Sequence, residues 1–166
     1  MEFTYCPDCG ERLISRPIGD EGETPYCNNC KRPFFGFSYP CVICLCVSET
    51  EEIALIKQSY VSENYVLVAG HIKAGENAED TAIREVFEEM GLTVTSCRYL
   101  LSRYHSKSDC LMLGFLCRVK KGELRLSDEV DSGGWFSASE AEGLLRHGSV
   151  GIEMLHQYKE QGKLKI

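Results

Sequence analysis

Beyond about residue 38 the chain alternates between short apolar runs and longer stretches with helical spacing. The runs 39–47, 53–57, 65–69, 93–101 and 110–119 are rich in Val, Ile, Leu and Cys, and they predict five strands. Over 78–90 the spacing predicts a helix. At 100° per residue Ala82, Ile83, Val86, Phe87 and Met90 form an apolar stripe, leaving Glu85, Glu88 and Glu89 for the opposite side. Asn77 is placed to cap its start, Glu79 and Asp80 suit the positive end of its dipole, and Gly91 can terminate it. Further helices are predicted over 139–146 and 150–161. The alternation predicts a layered α/β sandwich.

The first 35 residues read differently. They are turn-rich (Gly10, Pro17, Gly19, Asp20, Gly22, Pro25) and carry two CxxC pairs, Cys6-Pro7-Asp8-Cys9 and Cys27-Asn28-Asn29-Cys30, with seventeen residues between. Each CxxC turn presents two thiolates from one knuckle, and two knuckles complete a tetrahedral S4 site, so the spacing points to structural Zn2+. The segment has too few apolar groups to fold alone, and the metal would hold it together. Disulfides or a redox CxxC are the alternatives; two matched pairs exceed what a redox site needs. The expected organisation is a zinc ribbon over 1–35 and an α/β domain over 36–166. The other cysteines (Cys41, Cys44, Cys46, Cys97, Cys110, Cys117) lie in or beside apolar runs and read as small buried hydrophobes.

Composition narrows the function classes. With 166 residues, 43% apolar and 26% charged, the chain can bury a real core. Its longest apolar run, 41–47, is far short of the roughly 18 residues of a membrane-spanning helix. The start Met1-Glu2-Phe3-Thr4-Tyr5-Cys6 has neither a basic nor an apolar stretch and is not read as a signal peptide, so a cytoplasmic protein is expected. A net charge of −7 argues against nucleic-acid binding driven by the phosphate backbone. In the ribbon only Arg12, Arg16, Lys31 and Arg32 are basic.

The helix at 78–90 carries the candidate chemistry. Glu85 and Glu89 are four apart, a spacing at which like charges repel by only about 0.2–0.5 kcal/mol, so an acidic solvated face is one reading. The neighbours favour another. Arg84 can pair with Glu88, and the preceding loop, Ala69-Gly70-His71-Ile72-Lys73-Ala74-Gly75-Glu76, contains two glycines and a further carboxylate. Hard oxygen ligands on a rigid helix beside such a loop suit Mg2+ or Mn2+ with phosphate oxygens.

The segment Gly70-x5-Glu76-x7-Arg84-Glu85-Val86-Phe87-Glu88-Glu89-Met90-Gly91-Leu92 resembles a complete Nudix box. The resemblance implies a Nudix hydrolase: an α/β/α sandwich with a mixed sheet that cleaves a diphosphate joining a nucleoside to another moiety. Water attacks one phosphorus while divalent cations offset the charge. By the same resemblance Glu85, Glu88 and Glu89 match the metal-binding carboxylates, and Gly70 matches the glycine whose backbone approaches the metal. Arg84 matches the orienting arginine, and Glu76 the first Glu, which supports or joins the cluster.

A ribbon followed directly by this box is similar to the NADH pyrophosphatase branch, as are Leu111-Met112-Leu113-Gly114-Phe115 and Trp135-Phe136-Ser137. That likeness makes Glu129, six residues before the Trp-Phe pair, a further catalytic carboxylate; a loop acid beside Asp128 and Asp131 is the other reading. The branch's S-Q-P-W-P-F-P-x-S stretch corresponds to 102–110, where only the first serine is kept. Tyr104 is the residue there that can stack on a base, and Lys107 one that can meet a phosphate. Phe34, Phe35, Phe37 and Tyr39 form either a stacking platform or the packing of the ribbon on the main sheet. The expected substrate is a dinucleotide such as NADH, NAD or ADP-ribose, with homodimerisation implied by resemblance. The alternative is a nucleotide-sensing module whose ribbon contacts a partner or nucleic acid.

Overall fold

Among the residues described by the computed structural model, 3–163, Cys6, Cys27 and Phe34 are the buried side chains of the N-terminal unit's apolar cluster. Phe3, Leu13 and Cys30 pack partly buried around them. The chain divides after Tyr39 into two compact units. In the first, β1 (Ile14–Pro17), β2 (Glu23–Cys27) and β3 (Arg32–Pro33) pair antiparallel in that order. Each cysteine pair sits on a tight turn, closed by Gly10 N–H to Cys6 O at 2.9 Å and Lys31 N–H to Cys27 O at 2.8 Å. Phe3 touches the rings of Phe34 and Phe37, and Phe37 that of Tyr39, so these aromatics stack among themselves within the unit.

The second unit is built on β4 (Tyr39–Ser48), β5 (Ile53–Lys57), β6 (Val68–His71), β7 (Val94–His105), β8 (Cys110–Val119) and β9 (Ser132–Phe136). The sheet order is β7-β8-β4-β5-β9, with β6 pairing β4 over Cys41 to Cys44. α1 (Ala78–Met90) covers one face, while α2 (Ala138–Leu144) and α3 (Val150–Lys163) cover the other. β4 is apolar without alternation because both its faces are covered. Val42, Cys44 and Cys46 pack with Ala82, Val86 and Met90 of α1, and Ile43, Leu45 and Val47 pack with Ala141, Met154 and Leu155. Among the described residues no helix is long and apolar enough to cross a membrane.

Several expectations shift. The strand expected at 65–69 forms at Val68–His71; Tyr65 and Val66 make only isolated bridges. The strand expected to end at 101 runs on to His105, pairing Arg103, Tyr104 and His105 with Met112, Leu111 and Cys110. Prolines would break such a ladder, and this segment has none. β9 was not foreseen because Gly133 and Gly134 depress strand propensity. A Cβ at Gly133 would stand 3.1 Å from Leu124 and Leu126, a tight approach that the glycine relieves. Asn77 occupies the N-cap, but its side chain turns to Asp80 (Nδ2 to Oδ2, 3.0 Å) rather than capping a backbone N–H. Gly91 ends α1 in the left-handed region at φ 68°, its N–H donating to Phe87 O.

Candidate functional site: a carboxylate helix against a glycine strand

α1 does not present its stripe as expected. Ala82, Val86 and Met90 are fully buried, but Ile83 and Phe87 are 43% and 61% exposed, while Glu85 and Glu89 keep only 9% and 7% of their surface. The buried arc is rotated, so that the two glutamates lie beside the apolar contact rather than opposite it. The placement of β6 explains the rotation. A Cβ on Gly70 would lie 2.0 Å from Glu85 Cδ, so the carboxyl rests directly on the Gly70 backbone and only glycine admits it.

Arg84 ties loop to helix. Its Nε and Nη2 donate to Glu76 Oε1 and Oε2 at 2.7 and 2.9 Å, and its Nη1 to Glu85 Oε1 at 2.7 Å and Glu88 Oε2 at 2.8 Å. Nη2 also reaches His71 O at 3.3 Å. Glu76 accepts further from Thr81 Oγ1 (2.9 Å) and Lys73 N–H (3.1 Å), and the Arg84 guanidinium holds its carboxyl down at about 2. Glu76 is therefore a clamp whose oxygens are both engaged. Glu88 is half-exposed at the rim.

Glu89 is the strained member. Burial first, then the charge of Glu85, pushes its carboxyl up to about 7. Its Oε1 has only a long contact from Gln58 Nε2 at 3.5 Å. Among the described residues, Glu89 Oε2 and Ser127 Oγ are the buried side-chain polar atoms lacking a hydrogen-bond partner, and Ser127 N–H donates to Glu89 O at 3.3 Å. Two buried carboxylates, an orphaned oxygen and a side-chain-free strand edge are what a divalent cation with hard oxygen ligands would satisfy. Glu85, Glu88 and Glu89 fit the expected Mg2+ or Mn2+, with the Gly70 backbone adjoining.

A family model described as the NUDIX domain matches residues 38–158. The chain belongs to the Nudix family. The NAD-capped RNA hydrolase NudC of Vibrio parahaemolyticus is 27% identical over 158 residues, covering 95% of this chain and 60% of that protein. NudC of Pseudomonas fluorescens Pf-5 is 33% identical over 139 residues, covering 82% of this chain and 49% of that one. The chain thus spans about half to three-fifths of the length of these relatives. A Nudix hydrolase from Nitrosomonas europaea superposes with a TM-score of 0.76 at 19% identity, over 98% of this chain and 93% of that one. The Nudix domain of Shewanella oneidensis NrtR, solved with ADP ribose, gives 0.67 at 12% identity, over 82% and 93%. At these identities the superpositions show the fold.

Other residues of this Nudix domain stand at different distances from the carboxylates. Glu129 is exposed on the loop before β9, where its charge contributes to raising Glu89. Tyr104 and Lys107 lie on the exposed β7–β8 hairpin; the Tyr104 hydroxyl donates to Asp109 Oδ1 at 2.7 Å rather than to the carboxylate group. Gln58, 5% exposed, was not foreseen; its only signal is a polar residue directly after an apolar strand. Tyr60 was also missed: although the residue is 70% exposed, partial desolvation and then the charges of Glu129, Glu89 and Asp131 raise its hydroxyl.

In the N-terminal unit, Cys6, Cys9, Cys27 and Cys30 bring their sulfurs within 4.8 Å of one another, and no disulfide joins them. Cys6 to Cys30 is 3.8 Å and Cys9 to Cys27 is 3.6 Å, close to the edge of roughly 3.8 Å of a tetrahedron with 2.3 Å Zn–S bonds. A hydrogen bond with Asn29, then one with the Glu11 backbone, pulls the Cys9 thiol down to about 6. The donor set fits zinc.

The raised Glu89 carboxyl has a stability consequence. Its value rises from 4.5 to about 7 on folding, so its contribution is full below about 4.5 and is lost as pH climbs through 7. Glu89→Gln removes that loss. Without added Mg2+ or Mn2+, the variant should melt above wild type beyond about pH 7, and the gap should close toward pH 4.5. Thermal melts across that range check this; a variant that melts lower at high pH contradicts it.

Proposed function

We propose that this Nudix chain is a Mg2+- or Mn2+-dependent diphosphatase that hydrolyses a nucleoside diphosphate linked to another moiety, with an adenine dinucleotide such as NADH, NAD or ADP-ribose as substrate. The observation that carries the reading is the pair of buried carboxylates, Glu85 packed against side-chain-free Gly70 and Glu89 with one oxygen left unsatisfied. A cation bound there supplies a positive field that offsets the diphosphate charge and acidifies water. Glu85, Glu88 and Glu89 hold it; Arg84 fixes two of them and, through Glu76, anchors the loop. Gly70 leaves room for the Glu85 carboxyl to lie against the strand. Water adds to one phosphorus, the bridging P–O bond breaks, and AMP leaves from an adenylyl substrate. Glu129, on the neighbouring loop, adds a carboxylate to the same site.

The choice of substrate rests on the ribbon-plus-box arrangement and on the relatives' names, which add NAD-capped RNA to the candidates. A chain of net charge −7 favours a free dinucleotide over an RNA end. The exposed β7–β8 hairpin carries Arg103, Tyr104, His105 and Lys107, a polar wall that discriminates little among groups beyond the diphosphate. Tyr104 as a base-stacking residue and Lys107 as a phosphate contact belong to this proposal, as do structural zinc in the N-terminal unit and a cytoplasmic setting.

A hydrolysis panel of NADH, NAD, ADP-ribose, FAD, CoA, diadenosine polyphosphates, nucleoside triphosphates and NAD-capped RNA tests the reading. Dinucleotides should be cleaved with less than tenfold preference between NADH and ADP-ribose. Glu85→Gln and Glu89→Gln should each lower turnover more than about tenfold, or about 1.4 kcal/mol of barrier. A strong preference for triphosphates rejects the dinucleotide, and binding without hydrolysis throughout would mark a nucleotide-sensing module instead. For the ribbon, Cys27→Ser should remove one zinc per chain and lower the melting of the N-terminal unit while leaving the hydrolytic chemistry, because a closed S4 site has no open position for substrate. Elemental analysis showing unchanged zinc contradicts that assignment.

A further inference from the structure

β8, β4 and β6 lie side by side in the sheet, and Cys41 of β4 stands opposite His71 of β6 in register. Strand alternation turns Cys41, His71 and Cys110 to one face. Two residues along from each, Ile43, Ala69 and Met112 all pack in the cluster under α2 and α3. This is the face away from α1 and its carboxylates. There the Cys41 and Cys110 sulfurs and a ring nitrogen of His71 lie within 4.8 Å of one another. Both cysteines are buried, at 5% and 6% exposure, and His71 is exposed at the mouth.

Apolar packing does not account for these two thiols. Cys44, Cys46 and Cys117 belong to the core cluster beneath α1, as small buried hydrophobes should, but Cys41 and Cys110 belong to neither cluster of the domain. They meet instead at the end of the sheet, beside an imidazole. Cys110 occupies this place because β7 continues to His105 and delivers the chain into β8 at that residue.

We propose that Cys41, Cys110 and His71 form a second metal site, which takes one zinc ion through two thiolates and an imidazole nitrogen and leaves a fourth position for water or an external ligand. The donor set is soft to borderline, which suits Zn2+ and disfavours the hard Mg2+ or Mn2+ of the carboxylate helix. The three atoms need only contract toward the roughly 3.8 Å edge of a zinc tetrahedron. In the metal-free chain the Cys110 thiol donates to Ser108 O at 3.3 Å, and burial raises the Cys41 thiol. Binding releases two protons, and the two thiolates neutralise the ion. The site also bears on the carboxylates. His71 directly follows Gly70, and its carbonyl accepts from Arg84 Nη2, so an ion on the imidazole pins the strand end from which the loop to α1 departs.

The test is a zinc count on the intact chain, kept reduced with a phosphine, incubated with excess zinc and desalted against a weak chelator. Wild type should retain two zinc ions per chain, one in the four-cysteine unit and one here. His71→Ala, an exposed change that leaves the fold in place, should retain one, as should Cys110→Ser. With cobalt in place of zinc, wild type should show a stronger thiolate-to-metal absorption than His71→Ala. A wild-type chain that holds one zinc, or a folded His71→Ala chain that still holds two, overturns the proposal.

Discussion

Glu85 and Glu89 stand one helical turn apart with less than a tenth of their surface exposed, and most of the candidate site follows from holding them there. Two carboxylates so placed repel each other and lose their hydration, and the protein answers the two charges differently. Glu85 is met by Arg84, which also grips Glu76 and Glu88, so one guanidinium sets the loop, the helix and the first carboxylate together. Glu89 receives only the long contact from Gln58 and keeps one oxygen unsatisfied. The resulting strain is localised where a divalent cation would relieve it. The same requirement explains Gly70, where any side chain would collide with Glu85.

Much of this was legible in the sequence, and the failures are instructive. The spacing of Ala82, Val86 and Met90 gave the helix, its limits and its period. It gave the wrong phase, because Ile83 and Phe87 were assigned inward on hydrophobicity and the glutamates outward on charge. Side-chain type sets a default that a binding site overrides, and Ile83 and Phe87 carry the resulting exposure. The long strands were readable because both faces of the sheet are covered. β9 was not, because its two glycines depress strand propensity, while the close approach of Leu124 and Leu126 that favours Gly133 exists only in three dimensions. Gln58 lay hidden for a similar reason: one polar residue after a strand carries no signal until Glu89 is seen beside it.

Cysteine shows the same limit. The two CxxC pairs announce themselves because their ligands are local in sequence, and the turns place the four sulfurs together. The remaining six look alike along the chain. Folding separates them: Cys44, Cys46 and Cys117 enter the apolar core, while Cys41 and Cys110 are brought beside His71 from three strands distant in sequence. The polar hairpin at 102–110 contributes to this, since a segment without proline extends the β7–β8 ladder and fixes where Cys110 falls.

Whether the α1 glutamates hold a divalent cation is read most directly by Mn2+ binding, without reference to any substrate. Titration followed by electron paramagnetic resonance should show Mn2+ taken up by the intact chain. Affinity should fall at least about tenfold, or about 1.4 kcal/mol, in Glu85→Gln and in Glu89→Gln. The same Mn2+ concentration should raise the melting temperature of wild type more than that of Glu89→Gln. Equal Mn2+ affinity in wild type and both variants would contradict the account.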